Sequence, residues 1–302
     1  MKAIVVHEYG GPEVLKFEEY PDPVPGRGEV LVRVAAASVN PIDYKRRAGL
    51  TKDFYPLHFP ALIGVDMSGI VVKVGPGVEN FGAGNRVFAM ADNTYAELCV
   101  VKADVLADVP EGLDLIPAAA LPLVTVTGNQ LLAATEIKAG QTVMVVGAEG
   151  NVGRSAVFTA KDRGAIVIAG VLKRQMDEAK TVGADQLVAT DDDAAIASLA
   201  PLDAVADTVG GKTAEKLIAK IKSGGVFSTV VGAAPQNAAN YPTVKAVKVF
   251  SHFDRATLQF MAEAVRDGKF VIPISEELPL SEAAEAQARA EKGGIGKILL
   301  VP

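Results

Sequence analysis

QTVMVVGAEGNVGRSAVFTAKDRGAIVIAG, residues Gln141 to Gly170, is the stretch whose reading decides the fold. It opens with Thr142-Val143-Met144-Val145-Val146, a short apolar run rich in β-branched residues. Such a run suits a strand covered on both faces, as in a parallel sheet. The glycine-rich turn Gly147-Ala148-Glu149-Gly150-Asn151-Val152-Gly153 follows. A helical pattern then sets Val152, Ala156, Val157 and Ala160 on one face, with Arg154, Lys161 and Arg163 off it. Gly164 stands where the helix should stop, and Ala165 to Ala169 reads as a second buried strand. Strand, glycine turn, helix and strand make one βαβ unit of the length that dinucleotide-binding units use.

The turn's chemistry is specific. A pyrophosphate needs backbone N–H groups aimed at it and the positive end of a helix dipole behind them. Gly150 is the residue expected at closest approach, and Gly153 lets the helix lie close on the strand. The strict G-x-G-x-x-G pattern is broken by Ala148, so the motif reads A-x-G-x-x-G with Gly147 before it. An ordinary strand-to-helix turn shares these glycines, but the flanking strands and helix favour the cofactor reading. An acid for the ribose 2′-hydroxyl belongs about 20 residues on in units that take NAD. Here the second strand runs into Gly170-Val171-Leu172-Lys173-Arg174, with two cations and no acid. Lys173 and Arg174 suit a 2′-phosphate, which favours NADPH. The competing reading makes them the solvated first turn of a helix through Met176, Ala179 and Lys180.

Composition narrows the classes. A chain of 302 residues can hold two domains or one large one. A net charge of −6 argues against nucleic acid as a partner, and no basic stripe opposes that. Cys99 is the single cysteine, so the chain carries no internal disulfide and no cysteine-based zinc cluster; this fits a reducing, cytoplasmic setting. The apolar run at the N-terminus is too short for a signal peptide. Leu115 to Thr135 is uncharged but is broken by Pro117, Pro122, Gly128, Asn129 and Gln130, and reads as buried helix and loop rather than a membrane span.

The first hundred residues read as β: Lys2 to His7, Leu15 to Glu19, Glu29 to Ala36, Ala61 to Gly75, Asn85 to Ala89 and Tyr95 to Val101. Short strands between glycine and proline turns suggest a small barrel. Later strands are expected at Gln186 to Ala189, Ala204 to Asp207 and Val226 to Val231, with a helix over Lys212 to Lys222. The expected fold class is α/β, a doubly wound parallel sheet joined to a mainly β domain.

Between the early strands lies Asn40-Pro41-Ile42-Asp43-Tyr44-Lys45-Arg46-Arg47-Ala48-Gly49. Asn-Pro-x-Asp followed by Arg-x-Gly resembles quinone oxidoreductases of the zeta-crystallin type, in the medium-chain dehydrogenase/reductase superfamily. Further matches run in order along the whole chain. They include Gly64-Val65-Asp66-Met67-Ser68-Gly69, Gly84-Asn85-Arg86-Val87, Ala118 to Leu123, Asp203 to Gly210 and Gly296-Lys297-Ile298.

The resemblance implies a Rossmann NADPH-binding domain, 116–272, inserted into a GroES-like catalytic domain, 1–115 with 273–302. It implies hydride transfer to a quinone, or to an enone or 2-alkenal, and a homodimer paired through sheet edges, with Val244 to Phe250 contributing. A protein that binds NADPH as a sensor or structural component, without turnover, is the reading from another class. Zinc relatives carry Gly-His-Glu where this chain has Gly64-Val65-Asp66. Only His7, His58 and His252 are available besides Cys99, and they form no ligand spacing, so no metal is expected. Lys45 is the leading catalytic candidate by likeness to plant enone reductases, with Asn40 and Asp43 beside it. The turn itself supplies Gly147, Ala148, Gly150, Asn151, Val152 and Gly153 as cofactor contacts, and those carried over by position are Thr127, Val231, Gly232, His252 and Phe253. The chain departs from the family at Glu149 and Asn151, where small residues are usual, and at Thr190, near where some relatives have a tyrosine for the 2′-phosphate. Glu149 must therefore point away from the pyrophosphate or weaken its binding by repulsion.

Overall fold

The computed structural model describes residues 1–293 and 296–302. The chain forms two compact units, Met1–Leu123 with Phe253–Pro302, and Val124–His252.

In the second unit all six strands are parallel. Their order is Gln186–Ala189, Ile166–Val171, Thr142–Val146, Leu202–Asp207, Ile221–Thr229, Lys245–Lys248. This is the doubly wound order of a dinucleotide-binding sheet, with Thr142–Val146 at its centre. The unbroken apolar run of that strand follows from burial on both faces. Val143 and Val145 pack with Ala156, Val157 and Ala160 of helix Asn151–Asp162. Met144 and Val146 pack with Ala214, Leu217 and Ile218 of helix Gly211–Ile218. Full burial of each valine, leucine, isoleucine or methionine among them contributes about 1.5–3 kcal/mol.

The first unit is mainly antiparallel β. Glu29–Ser38 organises it: Asp66–Val74 and Leu98–Lys102 both pair with it, and Leu299 and Leu300 of the last strand meet its far end. The C-terminal strand thus completes a sheet begun by the N-terminal residues. A smaller sheet orders Leu15–Glu19, Lys2–Val6 and Ala61–Leu62.

Several local expectations are corrected. Ala61 to Gly75 is two strands, because Gly64 takes φ +97° between them. No α-helix follows Lys173; the segment makes two 3₁₀ turns, Lys173–Gln175 and Glu178–Val182, closed by Gly183 at φ +79°. The helix expected to reach Lys222 ends at Ile218, and the next strand begins at Ile221, which pairs with Leu202 before the register shifts. Pairing supplies there what the polar run Lys222 to Gly225 could not announce. The uncharged stretch Leu115–Ala133 is long and apolar enough to cross a membrane by length and composition, but 67% of it is buried inside the fold as two helices.

Candidate active site

Two sets of residues carry chemistry, one in each unit. In the second, the central strand opens into the glycine turn. Gly147 sits at φ +73°, and an added Cβ would meet Thr208 Oγ1 at 2.3 Å. Thr208 Oγ1 donates to the Val146 carbonyl at 2.7 Å and closes the turn from the neighbouring strand end. A Cβ on Gly153 would meet the Gly147 carbonyl oxygen at 2.1 Å, so the helix lies against the turn with no room for a side chain. Gly150 meets only that oxygen, at 3.3 Å, so its missing side chain leaves outward space rather than internal clearance. Ala148, in place of the first motif glycine, buries its methyl in the core, and its N–H donates to the Gly170 carbonyl at 3.2 Å.

Helix Asn151–Asp162 starts with Gly150 as its N-cap and has no side-chain cap. The first-turn amides of Asn151, Val152 and Gly153 therefore keep their donors for an anion, with the helix dipole behind them. A cradle cleared by glycine and lined by uncapped amides fits a pyrophosphate. The Glu149 carboxylate pairs with Arg154, whose Nε donates to the Glu149 carbonyl at 3.1 Å.

Lys173 and Arg174 are exposed beyond the end of Ile166–Val171, and neither forms an ion pair among the described residues. The Lys173 N–H donates to Asp191 Oδ1 at 2.8 Å, an acid that does not follow the second strand in sequence. The only signal for it was parallel pairing, which sets Val171 beside Ala189. Thr127 is buried, and its hydroxyl bonds Ser251 Oγ at 2.6 Å. Gln130, one turn along the same helix, bonds the main chain of His252, whose side chain is exposed. Val231 N–H donates to Thr229 Oγ1 at 3.0 Å, and Gly232 turns at φ +65°. Phe253 is half-buried and begins the segment that returns to the first unit.

In the first unit, helix Pro41–Arg47 begins at Asn40, and Pro41 provides its first turn. Asp43 Oδ2 accepts the Asn40 N–H at 2.8 Å, one half of a capping box. The Asn40 amide also reaches inward. Its Nδ2 donates to Asp66 Oδ2 at 2.8 Å and to the Ser38 carbonyl at 3.2 Å, and its Oδ1 accepts from Lys297 Nζ. Asp66 also accepts from Ser38 Oγ at 2.8 Å and from the Leu123 N–H at 2.9 Å, and lies 3.9 Å from Lys297. Tyr95 donates its hydroxyl to Asp43 Oδ2 at 3.0 Å.

Asn40, Asp43 and Asp66 are all fully buried. Burial pushes the Asp43 carboxyl up to about 7, with the nearby Asp66 charge adding to the shift against bonds from Asn40 and Tyr95. Burial also raises Asp66 and lowers Lys297, each opposed by the charge of the other. Asn40 and Asp43 thus hold the helix start in place beneath the surface. Lys45, on the same helix, is exposed and forms no ion pair among the described residues. Tyr44 is half-buried, and Arg47 is locked inside on the Gly10 carbonyl, Gln287 and Glu291. Arg46 reaches Asp92 at 3.0 Å and stacks on Tyr55 at 3.5 Å. It lines a cavity of about 440 Å³ with Leu57, His58, Leu62, Asp92 and Cys99.

Comparison with known proteins places the chain. The alcohol dehydrogenase GroES-like domain family matches residues 26–111, and the zinc-binding dehydrogenase family matches 182–300. The chloroplast envelope quinone oxidoreductase homolog of Arabidopsis thaliana is 31% identical, over 100% of this chain and 98% of its own. The chain belongs to the quinone oxidoreductase family of the medium-chain dehydrogenase/reductase superfamily. The NADPH-dependent alkenal/one oxidoreductase of Arabidopsis chloroplasts is also 31% identical, over 100% of this chain and 80% of its own. The solved quinone oxidoreductase from Coxiella burnetii superposes with a TM-score of 0.91 at 32% identity, covering 100% of this chain and 99% of that one. The family's fold, a GroES-like domain plus a Rossmann-like parallel sheet, is the one seen here.

One family model is named for zinc binding, yet among the described residues no group of three or more His, Cys, Asp or Glu could hold a metal ion. His7 pairs instead with Glu18 at 3.0 Å. Asp66 is occupied by Asn40, Ser38 and Leu123, and burial pushes the Cys99 thiol up to about 12.

Proposed function

We propose that this chain is an NADPH-dependent oxidoreductase that passes a hydride to a quinone or a related electron-poor carbonyl acceptor without a metal. The observation that carries the reading is the cradle at the head of helix Asn151–Asp162, where Gly147 and Gly153 let the turn and helix close tightly and Gly150 leaves outward space before uncapped amides. The amides of Asn151, Val152 and Gly153 hold the pyrophosphate, and Lys173 and Arg174 hold the 2′-phosphate. Thr127, Val231, Gly232, His252 and Phe253 serve the nicotinamide end. NADPH, when bound, supplies the hydride. Lys45 is the exposed cation that polarises the acceptor's oxygen and hands it a proton, and the buried Asn40–Asp43 pair fixes the helix that carries it. Metal-free chemistry is supported by the donor set: three histidines and one cysteine, none grouped with other ligands among the described residues.

An enone or 2-alkenal is the second acceptor class, favoured by the likeness to the alkenal/one oxidoreductase and by the free Lys45. A homodimer is part of the proposal, supported by the exposed edge strand Lys245–Lys248 and by Phe250 at 69% exposure beside it. So is a reducing, cytoplasmic setting, in keeping with the lone buried Cys99.

The test follows NADPH absorbance with a simple quinone and an aliphatic enone in parallel, with a chelator present. Turnover that survives the chelator is expected, and the better acceptor sets the substrate class. Tight NADPH binding with no turnover on either acceptor would replace this reading with a sensing or structural one.

A further inference from the structure

The adenosine end of the proposed cofactor site carries an acid that enters from a neighbouring strand. Strands Ile166–Val171 and Gln186–Ala189 are paired in parallel, Ile168 beside Gln186 through Val171 beside Ala189. Thr190 N–H continues the ladder onto the Val171 carbonyl at 2.8 Å. One residue further, Asp191 Oδ1 accepts the Lys173 N–H at 2.8 Å. The acid missing from the sequence after the second strand is thus supplied in space from the third.

Asp191 differs from its neighbours. Asp192 caps helix Asp193–Ala197, accepting from Ala194 and Ala195, and Asp193 pairs with Lys216. Asp191 is exposed and has no ion pair among the described residues, though it holds the Lys173 amide, and the side chains of Lys173 and of the next residue, Arg174, are exposed. Among the described residues no hydrogen bond reaches its second carboxylate oxygen, which is left for a ligand. A carboxylate at this end of a dinucleotide site accepts a hydrogen bond from a ribose 2′-hydroxyl and repels a 2′-phosphate.

We infer that Asp191 is a specificity-determining residue: it accepts a ribose 2′-hydroxyl and opposes the pull of Lys173 and Arg174 on a 2′-phosphate, so that the chain takes NADH as well as NADPH. This rests on the nucleotide reading above. The two cations draw in the phosphate, and the acid limits how far they discriminate.

Calorimetric titration with ADP-ribose and with 2′-phospho-ADP-ribose tests this without turnover. Asp191→Asn keeps an oxygen for the Lys173 N–H and removes only the charge. It should raise affinity for the phosphorylated probe about fivefold and lower affinity for ADP-ribose about twofold, a change in ratio of about tenfold that shrinks as salt is added. Lys173→Ala with Arg174→Ala should move the ratio the other way. If the wild-type chain binds both probes and Asp191→Asn leaves their ratio unchanged, Asp191 has no such role and the cofactor site stands. If the wild-type chain binds neither probe, the nucleotide reading fails and the inference goes with it.

Discussion

Gln130 holds the main chain of His252 with both ends of its side-chain amide: Nε2 donates to the carbonyl at 2.8 Å, and Oε1 accepts the N–H at 3.1 Å. Thr127, three residues earlier, holds Ser251 through its hydroxyl. Residues 127 and 130 face the same way on a helix, so one face of Pro122–Ala133 fixes the segment by which the chain leaves the second unit. Gln130→Ala should therefore cost about 1–2 kcal/mol, the worth of two hydrogen bonds at a partly exposed site. His252→Ala should be nearly neutral for stability, because the main chain of His252 and not its ring is held. Urea unfolding of both variants checks this; an unchanged Gln130→Ala, or a His252→Ala loss as large as that of Gln130→Ala, would contradict it.

The glycines of the turn do different work, and alanine separates them. At Gly153 a Cβ meets the Gly147 oxygen at 2.1 Å and the Ala148 Cα at 2.7 Å, so backbone must move. Gly153→Ala should lose about 1–3 kcal/mol of stability along with nucleotide binding. At Gly150 the nearest atom is 3.3 Å away, and the residue has φ −70° and ψ 157°, which any residue adopts. Gly150→Ala should fold with nearly unchanged stability and lose NADPH affinity alone. Thermal melts paired with nucleotide titration tell them apart. A Gly150→Ala chain that binds NADPH normally would remove the pyrophosphate from this cradle.

What the sequence disclosed, and what it hid, follows from the range of the interactions. Thr142–Val146 and the helix after it were legible because local pattern and tertiary burial agree there: every apolar residue of the strand has a packed face to meet. The 3₁₀ turns after Lys173 were not legible, because their geometry is set by an acid 18 residues away that holds the Lys173 amide. Lys45 could be named from its motif, but the motif did not show that Asn40 and Asp43 are sealed inside. Their burial depends on Lys297, 257 residues along the chain, arriving on the last strand to meet the Asn40 side chain.

That buried cluster makes stability depend on pH in a defined direction. Asp43 rises from an ordinary 3.8 to about 7 on folding, chiefly through burial. Between those values the folded chain keeps a proton that the unfolded chain releases, so the contribution of Asp43 to stability falls as pH rises through that window and is level above it. A shift of this size corresponds to at most about 4 kcal/mol. Asp43→Asn retains an acceptor for the Asn40 N–H and carries no titrating group. The stability of the variant relative to wild type should therefore climb from about pH 4 to about pH 7 and then stay flat. Urea unfolding across that range measures the difference directly, and a flat difference would show that Asp43 is already ionised in the folded chain.

Glu149 and Arg154 set the charge at the mouth of the glycine turn. The carboxylate stands at the positive end of helix Asn151–Asp162, where a bound pyrophosphate would feel its repulsion, and the Arg154 guanidinium offsets it. Both side chains are largely buried, at 15% and 11% exposure, so the pair is shielded from solvent screening. Arg154→Ala leaves the acid uncompensated and should weaken NADPH binding about tenfold, or about 1.4 kcal/mol. Glu149→Ala alone should bind as well as wild type or better. The double substitution should recover most of what Arg154→Ala loses, because removing the acid removes the reason for the arginine. Nucleotide titrations on the three variants complete the cycle. If the double variant binds as poorly as Arg154→Ala, then Arg154 acts on the nucleotide itself and not through Glu149.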